Sequence, residues 1–383
     1  MLIITAPGQG AQTPGFLAPW LELPGVADRL GGWSEVAGID LIRMGTTADA
    51  EEITDTSVAQ PLLVAAALVV ADLITNGRAG PDIAAGHSVG ELAAGAIAGV
   101  LSPEEAIRLT GVRGRAMARA TAATPTGMTA VLGGDEDAVL AALAAHGLTP
   151  ANINAKGQIV AGGTLDQLAA FAADPPASAR LRALPVAGAF HTAHMAPAVE
   201  TLANAAAGAV VKDPAITLLS NLDGAVVTSG RDWLDRIVAQ VASPVRWDLC
   251  TATMSARGVS AFLELVPGGT LTGIAKRALP GVQLLAMKTP DQLDAARALL
   301  AEHTSAAEDP ATWTIVVAPG TGTLRSVIEG ETVRAGSELG VVEARDGSTT
   351  VSAPCDGMVV EWLAQDGDPV SEGQPLARLE PAR

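Results

Sequence analysis

The sequence predicts an α/β protein with a β-rich subdomain inserted into it and a separate all-β domain in its C-terminal part. Three observations carry this. First, Gly86-His87-Ser88-Val89-Gly90-Glu91 lies between an apolar approach, Ile83-Ala84-Ala85, and the helix-like run Leu92 to Ala98, the strand–turn–helix order of an α/β sheet. Second, residues 126–186 read as strand, helix, two strands, helix, strand, the β-α-β-β-α-β order of a ferredoxin-like unit. Third, the last part of the chain repeats itself. Ala318-Pro319-Gly320-Thr321-Gly322 returns as Ala353-Pro354-Cys355-Asp356-Gly357, and Glu329 to Gly336 returns as Asp366 to Gly373. Turn glycines at that spacing among β-branched runs predict two matching four-stranded halves of a small symmetric β sandwich.

The elements follow in order. Leu2 to Ala6 is a first strand ending in Pro7-Gly8-Gln9-Gly10, where two glycines allow close approach of backbone to a ligand. Residues 16–55 are mixed helix and loop, and Gln60-Pro61 opens a buried helix over Leu62 to Ile74. Ser102-Pro103-Glu104-Glu105 is a strong helix start, with a serine cap, proline at the first position and acids in the first turn. That helix carries Arg113, and Arg115 and Arg119 on a solvated face. In the insert, Met128–Leu132, Pro150–Asn154, Gln158–Ala161 and Leu181–Val186 are strands, and Glu136–Ala145 and Leu165–Ala173 helices. Ile216 to Ser220 is a strand followed by a turn at Asn221 to Gly224, and Ser243 to Trp247 starts a further helix. Ala261 to Val266 is a buried strand. The expected division is a core of 1–125 and 187–289, the insert 126–186, a closing helix and linker 290–311, and the β domain 312–383.

Composition narrows the function. The chain has 383 residues, 49% of them hydrophobic, enough for a large core. A net charge of -17 argues against nucleic acid as a partner. Met1 to Ala6 runs into Pro7-Gly8 without a basic leader, and Leu62–Ile74 is short and contains Asp72, so neither a secretory signal nor a membrane span is read. With two distant cysteines, Cys250 and Cys355, the expectation is a reduced, cytoplasmic protein.

Gly86 to Gly90 is the Gly-x-Ser-x-Gly pattern of a nucleophile elbow: a strained turn lifts the serine hydroxyl from the sheet, and glycines tolerate the crowding beside it. A serine hydroxyl needs a base to take its proton. Of five histidines, His87 adjoins the serine and should point away from it, His146 ends an exposed helix, and His303 adjoins the linker. His191 and His194 remain, on the loop leaving the insert, and the residues alone do not choose between them.

Taken together, Gly8-Gln9-Gly10-x-Gln12, Gln60-Pro61, Gly86-His87-Ser88-x-Gly90-Glu91, Arg113-Gly114, Asn152-x-Asn154-x-x-x-Gln158, Phe190-His191, Pro244-Val245-Arg246-Trp247 and Glu264-x-x-Pro267-Gly268 occur in one order over residues 1 to about 288. In this the chain resembles the malonyl-CoA:acyl carrier protein transacylase family and the related acyltransferase domains of polyketide synthases. The resemblance implies an α/β-hydrolase-like core with a ferredoxin-like insert. It implies a ping-pong reaction in which Ser88 takes malonyl from malonyl-CoA and passes it to the phosphopantetheine thiol of an acyl carrier protein. It aligns His191 with the base and assigns the orienting carbonyl to Arg246. The N–H groups of Gln9 and Val89 become the oxyanion hole, where one donor is worth ~3 kcal/mol of barrier. Arg113 becomes the carboxylate grip, with Gln60, Phe190 and Asn154 beside the substrate. Phe190 before His191 resembles the malonyl-type pattern rather than the methylmalonyl type.

Residues 312–383 resemble the biotinyl/lipoyl carrier (barrel-sandwich) domain, whose central hairpin holds a modified lysine. Here that hairpin is Val342-Glu343-Ala344-Arg345-Asp346-Gly347-Ser348, with Asp346 at the lysine position, and no lysine follows Lys288. Neither biotin nor lipoate is expected, and no other bound cofactor or metal; a docking or structural role is left. Two rival readings remain: a transferase or proofreading hydrolase for another acyl group, and a transferase whose last domain is a scaffold that recruits a partner.

Overall fold

The computed structural model describes residues 1–77, 80–304, 314–326, 332–344 and 347–381. The chain divides into two compact units, Met1–Ser305 and Ala306–Arg383. Most of the expected linker, residues 305–311, lies outside the described residues, as do Arg345 and Asp346.

In the first unit a six-stranded sheet carries the site. Its strands are β1 (Leu2–Ala6), β2 (Ile83–Gly86), β7 (Thr217–Leu219), β8 (Val226–Val227), β10 (Ala261–Glu264) and β11 (Gln283–Ala286). The order is β11-β10-β1-β2-β7-β8, parallel except for the antiparallel edge strand β8. β1 and β2 read as continuous apolar runs because helices cover both faces of the sheet, and every residue in them is buried.

The helix before β2 differs from the expectation. It runs Thr56–Thr75, capped by Asp55, whose carboxylate accepts from Ser57 N at 2.7 Å. Gln60 and Pro61 therefore lie inside its second turn rather than opening it. By length and composition this helix could cross a membrane, but most of it is buried in the core. The Pro103–Ala123 helix starts at the Ser102 cap as read, with Ser102 Oγ accepting from Glu105 N at 3.1 Å. The two helices pack closely at Gly114, where an added Cβ would meet Thr56 O at 2.8 Å. That contact brings Arg113 of one helix to Gln60 of the other.

A second sheet has β3 (Thr126–Gly133), β4 (Thr149–Ala155), β5 (Gln158–Thr164), β6 (Ala179–Ala183) and β9 (Val245–Arg246) in the order β6-β3-β5-β4-β9. One face packs Val131, Ile153, Ile159 and Leu181 against Val139, Leu143, Leu168 and Phe171 of the helices Glu136–Ala145 and Leu165–Ala173. Two details depart from the sequence reading. β6 ends at Ala183, so Leu184 and Val186 leave the sheet. Val245 and Arg246 do not start a helix: they pair in parallel with Asn152 and Ile153 as a fifth strand, and the helix begins at Trp247. The β-branched Val245 suits a strand, and its side chain is fully buried.

The second unit consists of β12 (Thr314–Val317), β13 (Gly322–Ser326), β14 (Thr332–Val333), β15 (Glu338–Ala344), β16 (Gly347–Ser352), β17 (Gly357–Trp362), β18 (Pro369–Val370) and β19 (Pro375–Pro381). They form two four-stranded sheets, β12-β19-β17-β14 and β16-β15-β13-β18, around Leu324, Leu339, Val351, Leu376 and Leu379. Each sheet takes two strands from each sequence repeat, so neither repeat can bury its apolar face alone.

Candidate active site

Ser88 sits in the turn after β2. Its φ of 54° is left-handed, a region a non-glycine residue occupies only when its surroundings enforce it. Here the backbones on either side enforce it. A Cβ on Gly86 would collide with Gly90, and one on Gly90 with the Ala6 carbonyl of β1. The turn closes with Gly90 N donating to His87 O and Glu91 N to Ser88 O, both 3.0 Å, and leads into the helix Gly90–Ile97.

Ser88 Oγ lies 2.7 Å from His191 Nε2. His191 also has a positive φ, 60°, and is buried. Its Nδ1 lies 2.9 Å from the carbonyl of Gln240. A carbonyl only accepts, so Nδ1 carries the proton and Nε2 is left as the acceptor for the serine O–H. Burial, then the nearby Arg113 charge, push the imidazole down to about 3 against the pull of the Gln240 carbonyl, so at neutral pH it is an uncharged base. The orienting carbonyl is thus that of Gln240 and not of Arg246. Gln240 is the last residue of the helix Gly230–Gln240, where the carbonyl has no intrahelical partner and can accept from His191 as well as from Ser243 N. The Arg246 side chain pairs with Asp248 at 2.8 Å instead.

Arg113 is 1% exposed and is held by neutral oxygens. It donates to Gln60 Oε1 at 2.7 Å, Gln240 Oε1 at 3.2 Å and Ser88 Oγ at 3.3 Å. Burial lowers it to about 10, still a cation at neutral pH, and among the described residues no ion pair involves it. The charge nearest in effect is Glu91, but burial pushes that carboxyl up to about 8, so it is mostly neutral at pH 7. A buried cation without a counter-ion costs several kcal/mol, about 3–5 where a pair has been broken. The site is therefore ready for an anionic ligand next to the serine.

A cavity opens onto this group, lined by Gln9, Gln60, Met117, Met128, Asn152, Val160, Leu184, Val186 and Phe190 with His87, Ser88 and His191. Gln9 follows β1 and donates from Nε2 to Thr56 Oγ1 at 3.2 Å, leaving its buried Oε1 unpartnered. Val89 is buried behind the serine at the helix start. Of the asparagine pair on β4, Asn152 lines the cavity with an unpartnered Oδ1, whereas Asn154 Oδ1 is taken by His87 Nε2 at 2.9 Å. Asn154, expected beside the substrate, is thus bonded to His87, and the member of the pair that lines the cavity is Asn152. His87 packs edge-on against Trp247, ring centroids 5.6 Å apart, and makes no bond to the Ser88 hydroxyl. His194 makes no side-chain bond to the group either; its backbone N–H goes to Thr192 Oγ1 at 3.3 Å. Gln240, Asn221, Met117 and Met128 were not singled out for the site from the sequence. For Gln240 the available signal was its place at a helix C-terminus shortly before Ser243-Pro244.

Residues 7–305 match the acyl transferase domain family, and the chain belongs to that family. Residues 314–379 match a second family, described as biotin-requiring enzyme. The malonyl CoA-acyl carrier protein transacylase of Mycobacterium bovis is 56% identical over 297 residues, 77% of this chain and 98% of that protein. A crystal structure of MCAT from Mycobacterium tuberculosis superimposes with a TM-score of 0.75 at 55% identity, covering 78% of this chain and 99% of the other. PlMCAT, a malonyl-transacylase solved in complex with its type II PKS acyl-carrier protein, gives a TM-score of 0.73 at 30% identity, covering 78% of this chain and 99% of that one.

Proposed function

We propose that this chain transfers malonyl from malonyl-CoA to the phosphopantetheine thiol of an acyl carrier protein through a malonyl-Ser88 intermediate, in fatty acid or polyketide biosynthesis. The observation that carries it is the joint position of Ser88 Oγ: 2.7 Å from a neutral imidazole nitrogen and 3.3 Å from a buried arginine that has no counter-ion among the described residues. His191 Nε2 takes the hydroxyl proton as Oγ attacks the thioester carbonyl. The N–H groups of Gln9 and Val89 hold the oxyanion. The C–S bond breaks, and His191 returns the proton to the departing coenzyme A thiol. In the second half the carrier thiol gives its proton to His191 and attacks the malonyl ester; the acyl C–O bond breaks, and His191 returns the proton to Ser88 Oγ. Arg113 grips the malonyl carboxylate with two nitrogens, its fork aimed by Gln60 and Gln240. Phe190 and Met117 close the apolar side of the cavity.

We infer an α/β-hydrolase-like core over 1–125 and 187–289, a ferredoxin-like insert over 126–186 and a barrel-sandwich domain over 312–383, in a cytoplasmic protein. Biotin does not fit the last domain, since no lysine follows Lys288 to form the amide link. The test is transfer of radiolabelled malonyl from malonyl-CoA to a phosphopantetheinylated carrier protein. The proposal expects loading by the parent and none by Ser88→Ala; equal loading by both would overturn it.

A further inference from the structure

Asn221 begins the turn after β7 and is fully buried. Each of its polar atoms is engaged. Its amide oxygen accepts the backbone N–H of Ser88 at 2.8 Å and the side-chain N–H of Gln240 at 3.4 Å. Its amide nitrogen donates to the Gly86 carbonyl at 2.8 Å and to Cys250 Sγ at 3.7 Å. Its own N–H goes to Glu91 Oε1 at 2.8 Å, and its carbonyl takes Arg246 N at 2.7 Å. The turn itself is pinned by Gly224 N to Ser220 O at 2.9 Å.

One side chain thus spans the elbow from the carbonyl before it to the N–H of the nucleophile. It also touches the glutamine whose carbonyl orients His191 and whose side chain holds Arg113. Two consequences follow. The Ser88 N–H is consumed by Asn221, so it cannot serve a reacting oxygen; that leaves the task to the N–H groups of Gln9 and Val89. The left-handed serine is held by the turn's own bonds, Gly90 N to His87 O and Glu91 N to Ser88 O, and also by one from outside the turn, its N–H to Asn221.

We propose that Asn221 is a positioning residue: its carboxamide clamps Gly86 and Ser88 so that Ser88 Oγ stays in line with His191. This rests on Ser88 being the nucleophile. It separates Asn221 from Arg113, which acts on one class of acyl group, because a misplaced Oγ is equally poor toward any thioester.

The test is steady-state kinetics of the full chain with malonyl-CoA and with acetyl-CoA as the neutral donor, normalised to folded protein by circular dichroism. For Asn221→Ala the expected result is a fall in kcat on the order of 100-fold, the cost of an ångström-scale misplacement at reacting atoms. KM for malonyl-CoA should stay within about twofold, and the loss should be the same for both donors. Asn221→Asp keeps an acceptor for Ser88 N–H and loses the donor to Gly86, so its kcat should lie between parent and Asn221→Ala; it decides the matter if the alanine variant does not fold. A lowered Tm with parental kcat, a change confined to KM, or a loss seen with malonyl alone would each overturn the proposal. Ser88→Ala, run alongside, keeps the two questions apart. If it still transfers acyl groups, the nucleophile assignment itself fails; if it is dead while Asn221→Ala is unimpaired, only the role of Asn221 fails.

Discussion

The guanidinium of Arg113 lies 3.3 Å from Ser88 Oγ, yet its firm partners are two amide oxygens, on Gln60 and Gln240, and no carboxylate. Amide oxygens fix where the fork points without neutralising it. A carboxylate that arrives bonded to the acyl chain on Ser88 would complete the pair, and a neutral chain would leave the cation buried and unpaired.

Arg113→Ala should therefore lower kcat/KM for malonyl-CoA by a factor of about 100 to 1,000, the scale of ~3–4 kcal/mol for a buried pair that loses one partner. Acetyl-CoA turnover should be unchanged or improved. Competition between the two donors, read as the ratio of products, checks this directly.

His191→Ala should reduce acylation of Ser88 by about 100- to 10,000-fold, the range for loss of a positioned base. The parent should not show the acid limb near pH 6.5 that an ordinary histidine would give. With the imidazole pushed to about 3, Nε2 stays free to accept a proton well into the acid range. A rapid-quench pH profile of the acylation step measures it.

Glu91 gives a stability test with a definite sign. Its folded-state carboxyl is raised to about 8 from an unfolded value near 4.5. A raised pKa means that the folded state holds the proton more tightly, so this contribution is complete below pH 4.5 and is lost as pH rises toward 8. Glu91→Gln keeps the acceptor for Asn221 N–H and removes the titration. Thermal melts should show the variant gaining on the parent between pH 5 and 8, and an unchanged difference would refute the assignment.

Gly86→Ala and Gly90→Ala should each destabilise the first unit by about 1–3 kcal/mol or more and abolish activity, because the added methyl meets backbone rather than a side chain that can move. Chemical denaturation of the first unit's tryptophans, with activity in parallel, reports both effects.

Much of this site was legible in the sequence because its chemistry sits in contiguous motifs. Gly8, Gly86 and Gly90 mark places where only backbone fits, Gly10 marks a left-handed φ of 103°, and Ser102-Pro103 announces the helix that delivers Arg113. What was not legible depends on the fold bringing distant backbone together. The carbonyl facing His191 could have come from any residue near 240–246, and a main-chain group leaves no mark on residue type. Asn152 and Asn154 have the same side chain two positions apart, and the register irregularities of β4 against β5 decide which one reaches the cavity. By sequence Val245–Arg246 reads as part of a helix start because two residues carry no periodicity; the strand's partner is almost a hundred positions earlier on β4. By sequence Pro61 reads as a helix opening because proline is tolerated in the first turn. The Asp55 cap, five residues earlier than Gln60, outweighed that cue.

The most direct test of the account is the intact mass of the protein after brief exposure to malonyl-CoA without a carrier protein. The account predicts a single added malonyl group, mapped by peptide analysis to Ser88, absent in Ser88→Ala and greatly slowed in His191→Ala. No adduct, or an adduct that persists in Ser88→Ala, would contradict it.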